Sequence, residues 1–347
     1  MLTVCYACRK SELPQSFVTR DESEFSCDPP LCNGSNLSDI PYADGRLPVS
    51  VAVELKLYDT QSIRQRLANK CVVLLGDSTM QETAHDLIIL LSGIGNNHAL
   101  LQDYLRQATR QDGFSKVCVP LKSSDVRDLE FVPLQQDMAD CDDGVEVHFY
   151  GNHRNMSVYI HSLGFGLRTR YTGHHLLTEN GGGIQTFFVD DFQAELEQLV
   201  SRACNGKSTD ILIVNTGHHD FAGKLRAYKR HERLNEHEEF ADLLFKFGAR
   251  LGALARTGIK VVWKENYGGL AEKDPWLDNF AHLVMTRQKV LFVDCKTIVD
   301  RFLRYFDKAC FTYDDVHYGA LSFFHSESKS ILLSSMVTQR VLGAVVN

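Results

Sequence analysis

Three short stretches carry residue types that together can activate a serine. The first is Gly76-Asp77-Ser78-Thr79-Met80, which follows an apolar run at 71–75 and precedes a stretch with helical periodicity. A serine at a strand-to-helix turn lies beside the unpaired backbone N–H groups of a helix N-terminus, which can stabilise an oxyanion, and Gly76 permits the tight turn. The plainer role for Ser78 is helix capping. The second stretch, Asp314-Asp315-Val316-His317, holds the chain's one Asp-x-x-His. At that spacing one turn of backbone can bring the Asp314 carboxylate to the His317 imidazole. The carboxylate then fixes the tautomer and stabilises the imidazolium while the other ring nitrogen faces a serine. The plainer role is a surface loop with a satisfied histidine. The third stretch, Asn215-Thr216-Gly217-His218-His219-Asp220, follows an apolar run and offers polar groups for the other half of an oxyanion hole. It could equally be a polar turn that satisfies its own backbone.

These stretches need a frame to bring them together. Apolar runs suited to buried strands lie at 71–75, 145–150, 211–215, 260–264 and 290–294, with 158–160 a further candidate. Helical spacing of apolar residues marks 81–92, 192–203, 238–256, 275–286 and 329–344. This alternation predicts an α/β fold: a three-layer αβα sandwich around a central parallel sheet of about five strands. Sites in such sheets lie outside the C-terminal ends of the strands, where Ser78, the Asn215–Asp220 turn and the Asp314–His317 segment all fall. The chain order Ser, Asp, His is an established triad order. The Gly-x-Ser-x-Gly elbow of the α/β-hydrolases is absent, which points away from that fold.

Composition narrows the classes. The chain has 347 residues, 44% of them hydrophobic and 23% charged, as expected of a globular protein with one large domain and an appendage. A net charge of −7 argues against a nucleic-acid partner. No apolar run approaches the roughly 18 residues that a membrane span needs. The N-terminus lacks the apolar core of a signal peptide, so the sequence reads as cytosolic or as a trimmed form of a longer precursor. Neighbouring His218 and His219 point apart in an extended turn and no HExxH is present, so no metal and no resident cofactor is expected. The first 50 residues are rich in Cys, Ser, Asp, Pro and Gly and form a Cys-rich segment with a linker at 39–50. Residues 51–347 form the catalytic domain.

On these motifs the chain resembles the SGNH/GDSL superfamily, whose serine block is Gly-Asp-Ser and whose last block is Asp-x-x-His. Within it the chain resembles the PC-esterase group: trichome-birefringence-like polysaccharide O-acetyltransferases, capsule and sialic acid O-acetylation proteins, and NXPE proteins. The matching stretches are VVLLGDSTMQE, FYGNHRNMSVYIHSLGFGL, DILIVNTGHHDF and FTYDDVHYGA, within residues 60–345. The resemblance implies an SGNH-type, flavodoxin-like sheet, with Ser78 as nucleophile, His317 as general base and Asp314 as its orienting acid. Asp77, Thr79, Asn215, Gly217, His218 and His219 would line the oxyanion or substrate site. It also implies acyl transfer to or from a carbohydrate or glycan, with a donor such as acetyl-CoA as co-substrate if the protein is a transferase. The chain departs from the group at His219, Asp220 and Tyr318, and at Gln81 and Glu82, where plant members carry Arg and Asn. The changes at Gln81, Glu82 and His219 keep open a non-catalytic glycan- or partner-binding module on the same fold; a general carboxylesterase is a separate alternative.

Cys5, Cys8, Cys27 and Cys32 suit either a four-cysteine zinc site or disulfides. The resembled families, mostly Golgi-luminal or secreted, favour disulfides. Sequons at Asn33, Asn36 and Asn155 fit that location but carry little weight, because about two would arise by chance. The mixed-charge run 224–239 reads as a solvated helix face, with Lys224, Arg226, Lys229 and Arg230 as contacts to an acidic sugar in the alternative. The apolar stripe Ile331, Leu332, Val337, Val341, Leu342 and Val345 reads as core packing.

Overall fold

A computed structural model of the chain describes residues 58–68, 70–93, 116–120, 130–132, 145–151, 155–160, 164–170, 209–217, 233–268, 275–303, 318 and 332–346. The strands are β1 (Cys71–Gly76), β2 (Lys116–Pro120), β3 (Glu130–Val132), β4 (Val145–Gly151), β5 (Asn155–Ile160), β6 (Gly164–Arg170), β7 (Ile211–Val214), β8 (Lys260–Lys264) and β9 (Leu291–Val293). The helices are α1 (Thr60–Leu67), α2 (Ser78–Ser92), α3 (Arg233–Arg256), α4 (Pro275–Arg287), α5 (Lys296–Phe302) and α6 (Leu332–Val346).

The strands form one sheet in the order β3-β2-β6-β5-β4-β1-β7-β8-β9. From β4 to β9 every pairing is parallel, giving the five-strand parallel core that the apolar runs predict. On the far side of β4, strands β5, β6, β2 and β3 extend the sheet by antiparallel pairing. The sequence marks only the end of β5 in this extension. Gly164 and Gly166 interrupt the strand pattern of β6, and β3 has three residues, too few for a period to show.

The central strands β1 and β7 are buried along their whole length, as near-continuous Val, Ile and Leu runs require. Side chains alternate across the sheet. On one face Val73, Leu75, Leu212, Val214, Val261 and Trp263 pack against Phe240, Leu244, Phe247 and Leu251 of α3 and Leu277, Ala281, Val284 and Met285 of α4. The other face is covered by α2 and α6, which also pack on each other. The fold is therefore an α/β sandwich with helices on both sides of a parallel sheet.

Helix α2 begins at Ser78, three residues before its apolar period starts, because the Asp77 carboxylate caps it. The polar helix α1 escapes the periodicity search because only Ile63 and Leu67 are buried along it; Asp59 caps it through Ser62 N–H at 2.6 Å. In α6, Val337, Val341, Leu342 and Val345 are buried, as the stripe predicts. The expected helix at 192–203, the segment 1–50, and Lys224, Arg226, Lys229 and Arg230 lie outside the described residues. No described helix is long and apolar enough to cross a membrane.

Candidate active site

Strand β1 is central in the sheet, and Ser78 opens the helix that follows it. The turn between them is tight: a Cβ on Gly76 would come within 2.7 Å of Asn215 O and 2.9 Å of Met80 Cβ. Any other residue would push β1 away from the β7 turn. Asp77 fixes the next step. Its Oδ1 accepts from Thr79 N–H at 2.9 Å and from the Thr79 hydroxyl at 2.8 Å, and its carbonyl accepts from Met80 and Gln81 N–H at 3.1 Å each. Those three first-turn amides are thus committed to Asp77 rather than to a ligand.

The β7 turn is tied to this helix. Asn215 is fully buried. Its Oδ1 lies 3.2 Å from Thr79 Oγ1, and its Nδ2 donates to Lys264 O at 3.0 Å and Asn266 Oδ1 at 2.8 Å. Asn266 Nδ2 in turn donates to Thr216 O at 3.1 Å and Asp278 Oδ1 at 3.2 Å. The ends of β1, β7 and β8 and the start of α4 are thereby cross-linked by side-chain amides. Gly217 has φ 129°, a backbone state that disfavours side chains. A Cβ there would meet Leu277 Cδ2 at 2.8 Å and Asn266 Nδ2 at 3.1 Å.

A charged layer lies beneath. Lys264, at the end of β8, is fully buried; its Nζ donates to Thr79 O at 3.1 Å, lies 3.5 Å from Thr79 Oγ1, and sits 4.7 Å from the Tyr267 ring centroid. Burial pulls the Lys264 pKa below its usual value, opposed by the nearby Cys295 sulfur and the Asp77, Glu82 and Asp86 carboxylates. Burial likewise drives the Asp86 carboxyl well above the usual range, against hydrogen bonds from Ser334 and Thr338. Glu265 accepts the N–H groups of Cys295 at 2.8 Å and Lys296 at 2.7 Å, yet burial still raises it to about 8. Glu82 Oε2 accepts the N–H of Tyr318 at 3.2 Å, across 236 residues of sequence. The Thr216 and Tyr267 hydroxyls are buried without a hydrogen-bond partner among the described residues.

Of the residues read from the sequence, Asp77, Thr79, Asn215 and Gly217 are brought together at one end of the sheet, where Ser78 opens α2. Asp77, Thr79 and Asn215 are buried and bonded to the scaffold. His218, His219, Asp314 and His317 lie outside the described residues, as does the side chain of Ser78. Sequence reasoning did not single out Lys264, Asn266 or Asp278, and read Glu82 only as a departure. A signal was present: Lys264-Glu265-Asn266 is a polar trio directly after the apolar run of β8, at the sheet end where sites form. Among the described residues no group of three or more His, Cys, Asp or Glu could hold a metal ion.

The sequence matches no protein-family model and no curated protein. Two solved structures are similar at 11% identity. LAE5, an alpha/beta hydrolase enzyme from the metagenome of Lake Arreo, Spain, has a TM-score of 0.44 over 80% of this chain and 95% of that one. A Parabacteroides merdae protein described as a GDSL-like lipase has a TM-score of 0.39 over 80% of this chain and 96% of that one. The fold class rests on this chain's own strand order and helix placement.

Proposed function

We propose that this protein is a serine-dependent acyl-transfer enzyme, an O-acetyltransferase or O-acetylesterase acting on a carbohydrate or glycan through an acyl-enzyme at Ser78. The observation that carries the reading is a pair of long-range hydrogen bonds from the helix that Ser78 opens. The helix opened by Ser78 is bonded to the β7 turn through Thr79 and Asn215, and to Tyr318, the residue after His317, through Glu82. An acyl-transfer site needs a nucleophile, a second oxyanion donor and a base–acid pair in one place. These ties favour that meeting.

In this mechanism His317 takes the Ser78 proton, oriented by Asp314, as the serine oxygen attacks the acyl carbonyl. The backbone N–H groups of Ser78 and the Gly217 turn hold the oxyanion; Thr79, Met80 and Gln81 cannot, since Asp77 occupies them. His317 then protonates the leaving group, an alkoxide from an ester donor or a thiolate from a thioester such as acetyl-CoA. A sugar hydroxyl or water, deprotonated by His317, releases the acyl group and restores Ser78. A sugar acceptor gives an O-acetyltransferase, with a donor such as acetyl-CoA; water gives an esterase. Cys71 is disulfide-bonded, which supports action in an oxidising compartment such as the secretory lumen.

Turnover of p-nitrophenyl acetate tests the reading. Ser78→Ala and His317→Ala are each expected to lower kcat by roughly 10³-fold or more in folded protein. Asp314→Asn is expected to cause a large loss and Asp315→Asn little. Full activity in folded Ser78→Ala protein refutes the nucleophile assignment, and the opposite ranking of the two Asn variants moves the acid to Asp315.

A further inference from the structure

We propose that Glu82 is a positioning residue, fixing the main chain at Tyr318, which follows the candidate base His317 in sequence, against the helix that Ser78 begins; the inference rests on the serine-nucleophile reading above. Glu82 lies in the second turn of α2 and is fully buried. Its Oε2 accepts the main-chain N–H of Tyr318 at 3.2 Å. Tyr318 directly follows the candidate base His317 in sequence, so its amide is the main-chain anchor through which Glu82 would act on that base.

The bond belongs to a closed ring of contacts. The Tyr318 ring packs on Tyr267 at 5.8 Å between centroids, and Tyr267 lies under Lys264 Nζ at 4.7 Å. Lys264 Nζ donates to Thr79 O, which returns the path to α2 one residue beyond Ser78. Every member of the ring is at most 1% exposed. In a close-packed interior such a loop through three chain segments leaves little room for one to shift without the others. A buried carboxylate is costly, and an apolar residue would fill the space at less cost. Its hydrogen bond to the residue after the candidate base gives Glu82 a geometric use. Neutralisation of Lys264, on which the Glu82 charge also acts, is the competing use.

Two conservative variants separate the uses. Glu82→Gln removes the charge and keeps a carbonyl acceptor; Glu82→Asp keeps the charge and withdraws the acceptor by one methylene. The full chain would be tested for the rate of Ser78 labelling by a fluorophosphonate, for kcat and KM on p-nitrophenyl acetate, and for hydrogen exchange at the Tyr318 amide. Positioning predicts that Glu82→Asp slows labelling and kcat by about 10- to 100-fold with KM changed less than about twofold. Its Tyr318 amide should exchange at least about tenfold faster while the β7 amides are unchanged. Glu82→Gln should stay within about threefold of wild type on each measure. Wild-type labelling in Glu82→Asp, unchanged Tyr318 exchange in that variant, or equal damage in both variants overturns the proposal. Absence of Ser78 labelling in the wild type overturns the serine reading and the catalytic role of Glu82 with it, and the exchange measurement still reports separately whether Glu82 holds Tyr318.

Discussion

The sheet face under α3 and α4 buries Val73, Leu75, Val214, Trp263 and Phe247, whereas the face under α2 and α6 buries Glu82, Asp86 and Lys264 beside Val72, Leu74 and Val262. Alternation along one strand sets the two apart: in β8, Trp263 points to the first layer and Lys264 to the second. The apolar layer gains from area removed from water, about 25 cal/mol per Å². The charged layer loses hydration that its hydrogen bonds only partly return. A fold selected for stability alone has no need of the second arrangement. Its placement beneath Ser78, under the helix that carries the candidate nucleophile, points to a role in geometry rather than in stability.

That contrast can be broken by paired substitutions. Trp263→Ala removes the largest side chain of the apolar layer and should cost about 3–5 kcal/mol of stability, with little change in Ser78 labelling per folded molecule. Lys264→Met should behave in the opposite way. Its stability should stay closer to wild type than that of Trp263→Ala, because Thr79 O also accepts from Thr83 Oγ1, while labelling slows. Denaturant unfolding with probe kinetics on the same samples measures both; equal profiles for the two variants would erase the distinction between the faces.

Gly217→Ala sharpens the contrast at the boundary between the layers. The strained φ of 129° and the 2.8 Å approach to Leu277 should cost about 1–3 kcal/mol by denaturant unfolding. A smaller effect appears in the pH dependence of stability. Glu265 is raised from its usual 4.5 to about 8 in the folded state. An unfolded chain therefore releases this proton first as pH rises, and the native state binds more protons in between. The stabilisation from Glu265 is complete below about 4.5 and is lost as pH rises through about 8. Glu265→Gln should flatten the decline in stability across that window, measured by unfolding at a series of pH values; an unchanged slope would show that Glu265 is ionised in the fold.

The parallel core was legible because strands covered on both faces need continuous apolar runs, and all five runs became β4, β1, β7, β8 and β9. The meeting of Asp77, Thr79, Asn215 and Gly217 at one sheet end was legible for a related reason: each follows a strand whose C-terminal end must lie there. The antiparallel extension was mostly hidden because its strands are short and interrupted by glycine. The charged layer was hidden because each of its residues has an ordinary surface explanation in the sequence. Lys264 looks like a solvated strand end, and Glu82 and Asp86 look like the polar face of an amphipathic helix. Only the packing of α2 on β1 and β4 and of α6 on β8 and β9 turns those positions inward. Tyr318 illustrates the same limit, because a main-chain donor leaves no mark on sequence.

The most direct test of the central claim, an activated Ser78, is peptide mass spectrometry after exposure of the full chain to a fluorophosphonate. The account predicts one covalent adduct on the peptide carrying Ser78, lost in Ser78→Ala and strongly reduced in His317→Ala. An unlabelled Ser78 in well-folded wild-type protein, or labelling that is indifferent to His317, would contradict it and favour a binding module on this fold.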